Sequence, residues 1–309
     1  MIDVLIAAYK GQEYLGNQLD SILNCKGFDE LVERVIVSDD SPEQDAIVIK
    51  KIVESKGDKF IYVKNSNEPG VVSNFGNAAT LSKAEYIMFS DQDDIWLEDK
   101  ILVLFEGLKK TENDGKPAIF FSDLIVVDDG LNIIDSSFWD SQGIDPTISK
   151  YPGKVALQNV SPGCVMIINR ELLRAALPFP KNVMMHDWWL LIIASCLGNV
   201  AYTEKPLHLY RQHDNNVIGA QKISLTWKLK KMLTILFSKD STFMKTLIQA
   251  EEVNSRLSTL GVFNSDIAIL AKLRTMTKVE KLRAVFNSTI RGSNMKRNIL
   301  LFLKIIFVK

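Results

Sequence analysis

Apolar runs that alternate with helical patterns dominate the first hundred residues, and they restrict the possible folds more than any other feature. Compact apolar runs at residues 4–8, 34–38, 60–63 and 86–89 predict buried strands. Between them, residues 13–24, 46–55 and 74–83 carry apolar side chains at helical spacing. Such alternation is typical of a mostly parallel sheet with helices on both faces. The sequence therefore predicts an α/β fold.

The rest of the chain changes in style near residue 220. Strands are expected at residues 118–122, 124–127 and 163–169, and helices at 170–177 and 187–197. Residues 222–238, 243–260 and 267–290 predict basic, amphipathic helices. We therefore expect a domain over residues 1–220 and a C-terminal helical extension over residues 221–309.

The two segments carry opposite charge. Residues 1–220 contain 20 Lys and Arg against 32 Asp and Glu, a net charge of −12, whereas residues 221–309 contain 17 against 5, a net charge of +12. Lysines mixed with apolar and aromatic residues at 224–238 and 294–309 are typical of helices that lie on an anionic membrane surface. The alternative is that these helices pack on the first domain or on a second subunit, which leaves a homodimer open.

Composition excludes several classes of protein. With 47% apolar residues the chain is not disordered, and no run reaches the roughly 18 apolar residues of a transmembrane helix. Three cysteines without a Cys-x-x-Cys pair argue against a disulfide scaffold or a structural zinc site. Residues 1–9 are short and contain Asp3, so we expect no secretory signal there. These features predict a cytoplasmic protein, peripheral on the inner face of the membrane.

The densest acidic motif directly follows the predicted strand at residues 86–89, in Ser90-Asp91-Gln92-Asp93-Asp94-Ile95-Trp96. Three carboxylates in four residues repel one another unless a cation lies among them. Mg²⁺ and Mn²⁺ prefer oxygen ligands and keep positions open for substrate phosphates. The alternative is a solvated loop or a helix N-cap. The flanking Phe89 and Trp96 favour a metal site.

A second acidic pair, Asp39 and Asp40, ends another predicted strand. Ligands of parallel α/β sheets bind outside the carboxyl ends of strands, so this pair could bind a nucleobase or a ribose. Its alternative is an Asx turn or a cap of the next helix.

Two later segments also carry chemically capable residues. Asp187, between His186 and Trp188, could be desolvated into a general base, or could cap the helix that follows. Arg211 could clamp a phosphate and His213 could ligate a metal, whereas His208 is expected to be structural.

In this order the motifs resemble the inverting family 2 glycosyltransferases. The resemblance covers approximately residues 1–220 and rests on Leu5-Ile-Ala-Ala-Tyr9 with Tyr14-Leu15, Val37-Ser-Asp-Asp-Ser41, the acidic motif, Ser161-Pro-Gly-Cys164 and His186-Asp-Trp-Trp189. It implies the GT-A fold, a Rossmann-like fold of nucleotide-diphospho-sugar transferases. Met185-His-Asp-Trp188 and Tyr210-Arg-Gln-His-Asp-Asn-Asn216 are most similar to bacterial polysaccharide rhamnosyltransferases.

The resemblance also implies roles for individual residues. Asp187 would be the catalytic base, and Asp91, Asp93 and His213 would hold Mn²⁺ or Mg²⁺. The remaining implied contacts are to the nucleotide sugar, by Ala7, Ala8, Tyr9, Asp39, Asp40, Asp91 and Arg211, and to the acceptor, by Gly163, Trp188 and Trp189.

The sequence therefore predicts an inverting transfer of L-rhamnose from dTDP-rhamnose to a saccharide or lipid-linked acceptor, in cell-wall or capsular polysaccharide synthesis. A UDP-hexose transferase of the same fold is the first alternative. A metal-dependent nucleotidyltransferase would leave residues 186–188 and 211–219 unexplained. A nucleic-acid-binding protein is disfavoured because the acidic domain would repel phosphates.

Overall fold

The computed structural model describes residues 1–113, 115–212 and 242–287, and single positions at 290, 298, 301, 302, 304 and 305. Within these residues nine strands form one mixed sheet in the order β3-β2-β1-β4-β8-β6-β9-β5, with β7 paired to β6. The strands are β1 (Ile2–Ala8), β2 (Val32–Asp39), β3 (Phe60–Lys64), β4 (Tyr86–Ser90), β5 (Ile95–Trp96), β6 (Ala118–Val127), β7 (Ile133–Asp135), β8 (Met166–Asn169) and β9 (Asn199–Arg211).

Helices connect and cover these strands. They are α1 (Leu15–Leu23), α2 (Phe28–Leu31), α3 (Glu43–Glu54), α4 (Val71–Leu81), α5 (Lys100–Thr111), α6 (Phe138–Gln142), α7 (Pro152–Val155), α8 (Arg170–Ala176), α9 (His186–Leu197), α10 (Thr242–Thr259), α11 (Ser265–Lys272) and α12 (Lys278–Asn287). Short 3-10 helices span Pro146–Lys150 and Gly163–Val165. The predicted α/β class is confirmed.

The first half of the sheet is parallel, as predicted. β1 lies between β2 and β4, and β2 pairs with β3, all in parallel register. Alternate residues of β1 enter two different cores, with Leu5 on one face and Val4 and Ile6 on the other. Because helices cover both faces, the strands read as unbroken apolar runs.

The second half of the sheet is mixed, and here the sequence was less informative. β8 runs antiparallel to β4 and β6, whereas β6 and β9 are parallel. The two strands predicted at 118–122 and 124–127 are one strand, β6, with register shifts around Asp123. β9 was not predicted, because Glu204, Lys205 and Pro206 interrupt its apolar pattern. β9 carries His208 and Arg211 back to the acidic motif.

The C-terminal helices α10 and α11 pack on the first domain. Their buried side chains belong to the same apolar core as α9, and the guanidinium of Arg256 donates to the backbone carbonyls of Ala175, Leu177 and Pro178. The helix predicted over residues 267–290 is instead divided between α11 and α12. The helix predicted over residues 222–238 lies outside the described residues, and the domain boundary near residue 220 stays a prediction. Among the helices described, none is long and apolar enough to cross a membrane.

Candidate active site

The carboxyl ends of β1, β2 and β4 meet at one edge of the sheet. The backbone N–H of Tyr9 donates to Gln92 Oε1 at 2.8 Å, and Gln92 Nε2 donates to the Tyr9 carbonyl at 3.0 Å. The carbonyl of Ala8 accepts from the backbone N–H of Asp40 at 2.9 Å and from Asn74 Nδ2 at 3.0 Å. These bonds tie the segment that contains Ala7, Ala8 and Tyr9 to both acidic motifs.

Asp39 and Asp40 are held in different ways. Asp39 is fully buried and accepts hydrogen bonds from the backbone N–H of Ser41 at 2.9 Å and from the Tyr62 hydroxyl at 3.0 Å. This is the Asx turn that was the structural alternative. Asp40 is partly exposed and accepts from Asn65 and from the backbone N–H of Gly70. Of the two, Asp40 is the one placed to reach a ligand.

The carboxylates that follow β4 form an acidic cluster. Asp91 and Asp93 are partly buried and Asp94 is buried. Desolvation, followed by the charges of Asp94, Asp93 and Asp187, raises the pKa of the Asp91 carboxyl well above its ordinary value. A divalent cation would offset this repulsion and prefers carboxylate ligands, so Asp91 and Asp93 fit the predicted metal site. The third predicted ligand, His213, lies outside the described residues.

Asp94 has a separate set of partners. Its Oδ2 lies 2.7 Å from His208 Nε2, and its Oδ1 accepts from the backbone N–H of Arg211 at 3.0 Å. Asp94, Cys164 and His208 offer ligand atoms within 4.8 Å of one another. However, the Lys100 ammonium lies 2.7 Å from His208 Nδ1. The Lys100 ammonium would repel a metal cation at this place, so we interpret Asp94 and His208 as members of a hydrogen-bonded chain with Lys100 and not as metal ligands.

Arg211 lies against the acidic cluster, and its predicted contact with a phosphate stays a prediction. Its Nε donates to the carbonyl of Asp93 at 2.9 Å, and its Nη1 donates to the carbonyl of Asp129. The guanidinium carbon lies 4.9 Å from the centre of the Tyr14 ring. Tyr14 in turn donates from its hydroxyl to Asp129 Oδ1 at 2.8 Å. The guanidinium is therefore fixed beside the acidic cluster.

Asp187 lies in the first turn of α9 and is not its N-cap, because the cap position is Met185, which makes no side-chain cap bond. The carboxylate is buried and accepts from the backbone N–H of Trp188 at 2.5 Å and from Asn159 Nδ2 at 3.2 Å. Burial raises the pKa of Asp187 to about 6. A carboxylate with this pKa is suited to accept a proton near neutral pH.

Gly163 packs directly on the beginning of α9. A Cβ atom at this position would lie 2.7 Å from His186 Nε2 and 3.4 Å from Asp187 Cβ. The His186 ring stacks on Phe75 with 3.9 Å between ring centres, and burial lowers its pKa to about 3. The glycine therefore permits a neutral imidazole to lie beside Asp187.

Trp188 and Trp189, which are predicted to contact the acceptor, are both buried. Trp189 is fully buried and donates from Nε1 to the carbonyl of Ala176 at 3.0 Å. Trp188 is also buried and donates to the carbonyl of Val155 at 2.6 Å. Both indoles are therefore hydrogen-bonded within the core, and their contact with the acceptor stays a prediction.

The N-terminal part of the chain matches a known protein family. Residues 3–123 match the family described as Glycosyl transferase family 2. Over these residues the chain is similar to the family 2 glycosyltransferases. The chain is 28% identical over 247 residues to the dTDP-rhamnosyl transferase RfbG of Shigella flexneri, with 74% of this chain and 78% of RfbG covered.

Two solved structures share the fold. One is TarS 1-349 of S. aureus in complex with UDP-GlcNAc, with a TM-score of 0.53, 15% identity, and coverage of 91% of this chain and 83% of TarS 1-349. The other is the mannosyltransferase PcManGT of Pyrobaculum calidifontis in complex with GDP-Man and Mn²⁺, with a TM-score of 0.54, 13% identity, and coverage of 97% and 78%. The predicted GT-A fold is confirmed.

Two residues that contact the predicted site were not identified from the sequence. Lys100 begins α5 and is fully buried, with its Nζ donating to the carbonyl of Cys164 at 2.5 Å. Its spacing from the buried Leu104 and Leu108 would have placed it on the apolar side of the helix, which was a usable signal. Asn159, which binds the Asp187 carboxylate, stands in a segment without a recognisable pattern.

Proposed function

We propose that this protein is a metal-dependent, inverting glycosyltransferase that moves L-rhamnose from dTDP-rhamnose to a saccharide or lipid-linked saccharide acceptor. The observation that carries the reaction type is a buried carboxylate, Asp187, whose pKa is raised to about 6 and whose charge acts on the acidic cluster at Asp91. The similarity to RfbG supports rhamnose as the sugar. The family 2 match over residues 3–123 supports glycosyl transfer. We place this transfer in cell-wall or capsular polysaccharide synthesis.

In this proposal Asp187 removes the proton of an acceptor hydroxyl. The hydroxyl oxygen then forms a bond to the anomeric carbon from the face opposite the nucleotide, and the bond to the diphosphate breaks. One displacement inverts the anomeric configuration. The bonds from Asn159 and from the Trp188 N–H hold the carboxylate in place for this step. General-base assistance of this kind contributes ~10²–10⁴-fold to a rate.

Other residues of the site would stabilise the negative charge of the leaving diphosphate. When bound at Asp91 and Asp93, a divalent cation would supply positive charge for the departing phosphates. Arg211, held beside Asp93 and over Tyr14, adds a fixed cationic group. The nucleotide would lie along Ala7, Ala8, Tyr9 and Asp40, at the edge where β1 and β2 end.

A donor screen with Mn²⁺ and a synthetic rhamnoside acceptor tests the proposal. We expect turnover of dTDP-rhamnose, and we expect Asp187→Asn to lose ~10²–10⁴-fold in kcat while it still binds the donor. The matched control is Asp140→Asn, at an exposed carboxylate of α6. Turnover of a UDP-hexose in place of dTDP-rhamnose would agree with the proposed reaction type but would contradict dTDP-rhamnose as the donor. Full activity of Asp187→Asn would remove it as the base.

Calorimetry of donor binding tests the metal. Asp93→Ala should abolish the part of the donor affinity that depends on Mn²⁺, because the cation loses a ligand at the centre of the acidic cluster. Donor affinity that is equal with and without Mn²⁺ in the wild-type protein would contradict metal dependence.

We also propose that residues 1–220 act as the catalytic part and that residues 221–309 hold the enzyme on the inner, anionic face of the cell membrane. The basic, apolar segments at 224–238 and 294–309 support this location. The full chain should float with anionic vesicles but not with zwitterionic ones, and Lys228, Lys230 and Lys231 changed together to Gln should weaken flotation. Light scattering of the same samples would report a homodimer. Equal flotation with both vesicle types would contradict an electrostatic anchor.

A further inference from the structure

Three buried polar side chains form a continuous chain behind the acidic cluster. Lys100 Nζ lies 2.7 Å from His208 Nδ1, and His208 Nε2 lies 2.7 Å from Asp94 Oδ2. Lys100 and His208 are fully buried, and Asp94 is 1% exposed. Ionised groups are not buried in this way without partners, since desolvation costs several kcal/mol per ion.

The donors and acceptors of this chain are determined by its chemistry. An ammonium group only donates, so Nδ1 of His208 must accept from Lys100. Nε2 then carries the proton and donates to the Asp94 carboxylate. Burial, together with the charge of Lys100, lowers the pKa of His208 to about 4, which agrees with a neutral ring. The imidazole of His208 therefore accepts from the buried Lys100 ammonium at Nδ1 and donates to the buried Asp94 carboxylate from Nε2.

Both ends of the chain reach the site. Asp94 is adjacent to Asp93 and also accepts from the backbone N–H of Arg211 at 3.0 Å. Lys100 donates a second bond, of 2.5 Å, to the carbonyl of Cys164, which follows Gly163 beside Asp187. The ammonium also lies 4.0 Å from the centre of the Trp96 ring. Lys100 thus connects the acidic cluster, through His208, with the Gly163 segment, through the Cys164 carbonyl.

We propose that Lys100 is a positioning residue that fixes the acidic cluster through His208 and Asp94, and fixes the Gly163 segment through the Cys164 carbonyl. It touches neither donor nor acceptor. The expected effect on kcat rests on the proposed function, whereas the hydrogen bonds that join Lys100, His208 and Asp94 do not. A buried residue that holds ligands in place typically contributes ~10–100-fold to metal affinity or activity.

Two substitutions of His208 separate positioning from packing. Glutamine can accept from Lys100 with its oxygen and donate to Asp94 with its nitrogen, so His208→Gln should keep Mn²⁺ affinity and kcat within about threefold of wild type. His208→Leu fills the space but breaks both bonds, and should lose ~10–100-fold in Mn²⁺ affinity and kcat. Lys110→Met, at an exposed lysine of the same helix, is the control for loss of positive charge. Equal behaviour of the Gln and Leu variants would overturn the proposal.

A spectroscopic test on the wild-type protein does not depend on how the variants fold. The sequence contains three histidines, so ¹⁵N-labelled imidazoles can be assigned by substitution of the other two. We expect His208 at pH 7 to carry its proton on Nε2 and to have an unprotonated Nδ1. The opposite tautomer or a doubly protonated ring would overturn the chain. If the tautomer is as expected and Mn²⁺ affinity responds, but no nucleotide sugar is turned over, then it is the proposed function that fails.

Discussion

At the scale of single residues, the ionisation of Asp187 links activity to pH. Burial raises the pKa of this carboxyl to about 6, and only the ionised form can accept a proton from an acceptor hydroxyl. The value of kcat should therefore rise with pH, reach half its maximum near pH 6 and level off above it. Steady-state rates from pH 4.5 to 8 measure this, and the residual activity of Asp187→Asn should lack the rise. A wild-type profile that is flat across pH 6 would contradict it.

The same shift makes Asp187 a cost to stability at neutral pH. The folded state binds the proton of the Asp187 carboxyl more tightly than the unfolded chain does. This tighter binding stabilises the folded state at low pH, and the stabilisation is lost as the pH rises from about 4 to about 6. Two pKa units correspond to about 3 kcal/mol. The free energy of unfolding of Asp187→Asn should therefore rise relative to wild type by about this amount between pH 4 and pH 7.5. Urea denaturation of both proteins checks it, and a constant difference would argue against the shift.

Gly163 is constrained by its neighbour and not by its own backbone angles. An added Cβ would lie 2.7 Å from His186 Nε2, so Gly163→Ala must displace the ring that lies beside Asp187. Overpacking of this kind costs ~1–3 kcal/mol, and displacement of the base should lower kcat more than it changes donor affinity. Thermal denaturation and donor titration measure the two effects. Gly16→Ala in α1, where the nearest atom is 4.0 Å away, is the control.

At the scale of elements, the parallel half of the sheet was predictable and the mixed half was not. β1 and β4 are buried on both faces along almost their whole length, so each reads as a nearly continuous apolar run. β9 is thirteen residues long and pairs through its backbone with β6 and β5. Glu204 and Lys205 interrupt its apolar residues, so its sequence shows no alternation of apolar and polar side chains. The acidic cluster was predictable because its members are adjacent in sequence. The chain from Lys100 to Asp94 was not, because it forms only when β9 brings in His208.

The junction of α9 and β9 depends on a close approach of two backbones. A Cβ at Gly198 would lie 1.8 Å from the carbonyl oxygen of Pro117, and a backbone atom cannot move aside as a flexible side chain can. Gly198→Ala should therefore destabilise the protein by about 3 kcal/mol or more. Chemical denaturation checks this. Gly16→Ala should instead change stability by less than about 1 kcal/mol, in the stabilising direction. Similar values for the two variants would contradict the close approach.

At the scale of the whole molecule, the opposite charges of the two segments do not imply two independent folding units. The apolar side of α10 belongs to the core that contains α9, which also carries Asp187. Gln249 of α10 accepts from the backbone N–H of Met184 at 2.8 Å, just before α9 begins. α10 therefore supports α9, the helix that carries the proposed base. This holds whichever surface the basic segments at 224–238 and 294–309 bind.

A fragment of residues 1–220 should consequently be much less stable than the full chain. It would lose five buried α10 side chains from the core, Phe243, Leu247, Ala250, Val253 and Leu257. Each large apolar side chain contributes about 1.5–3 kcal/mol on burial, and domains are stable by only about 5–15 kcal/mol. Within the full chain, Leu247→Ala should cost about 2–5 kcal/mol, whereas Leu260→Ala, at an exposed position, should change stability by less than about 0.5 kcal/mol. A fragment that melts at the Tm of the full chain would contradict this coupling. Since the fragment is expected to unfold, membrane binding has to be measured on charge variants of the whole protein.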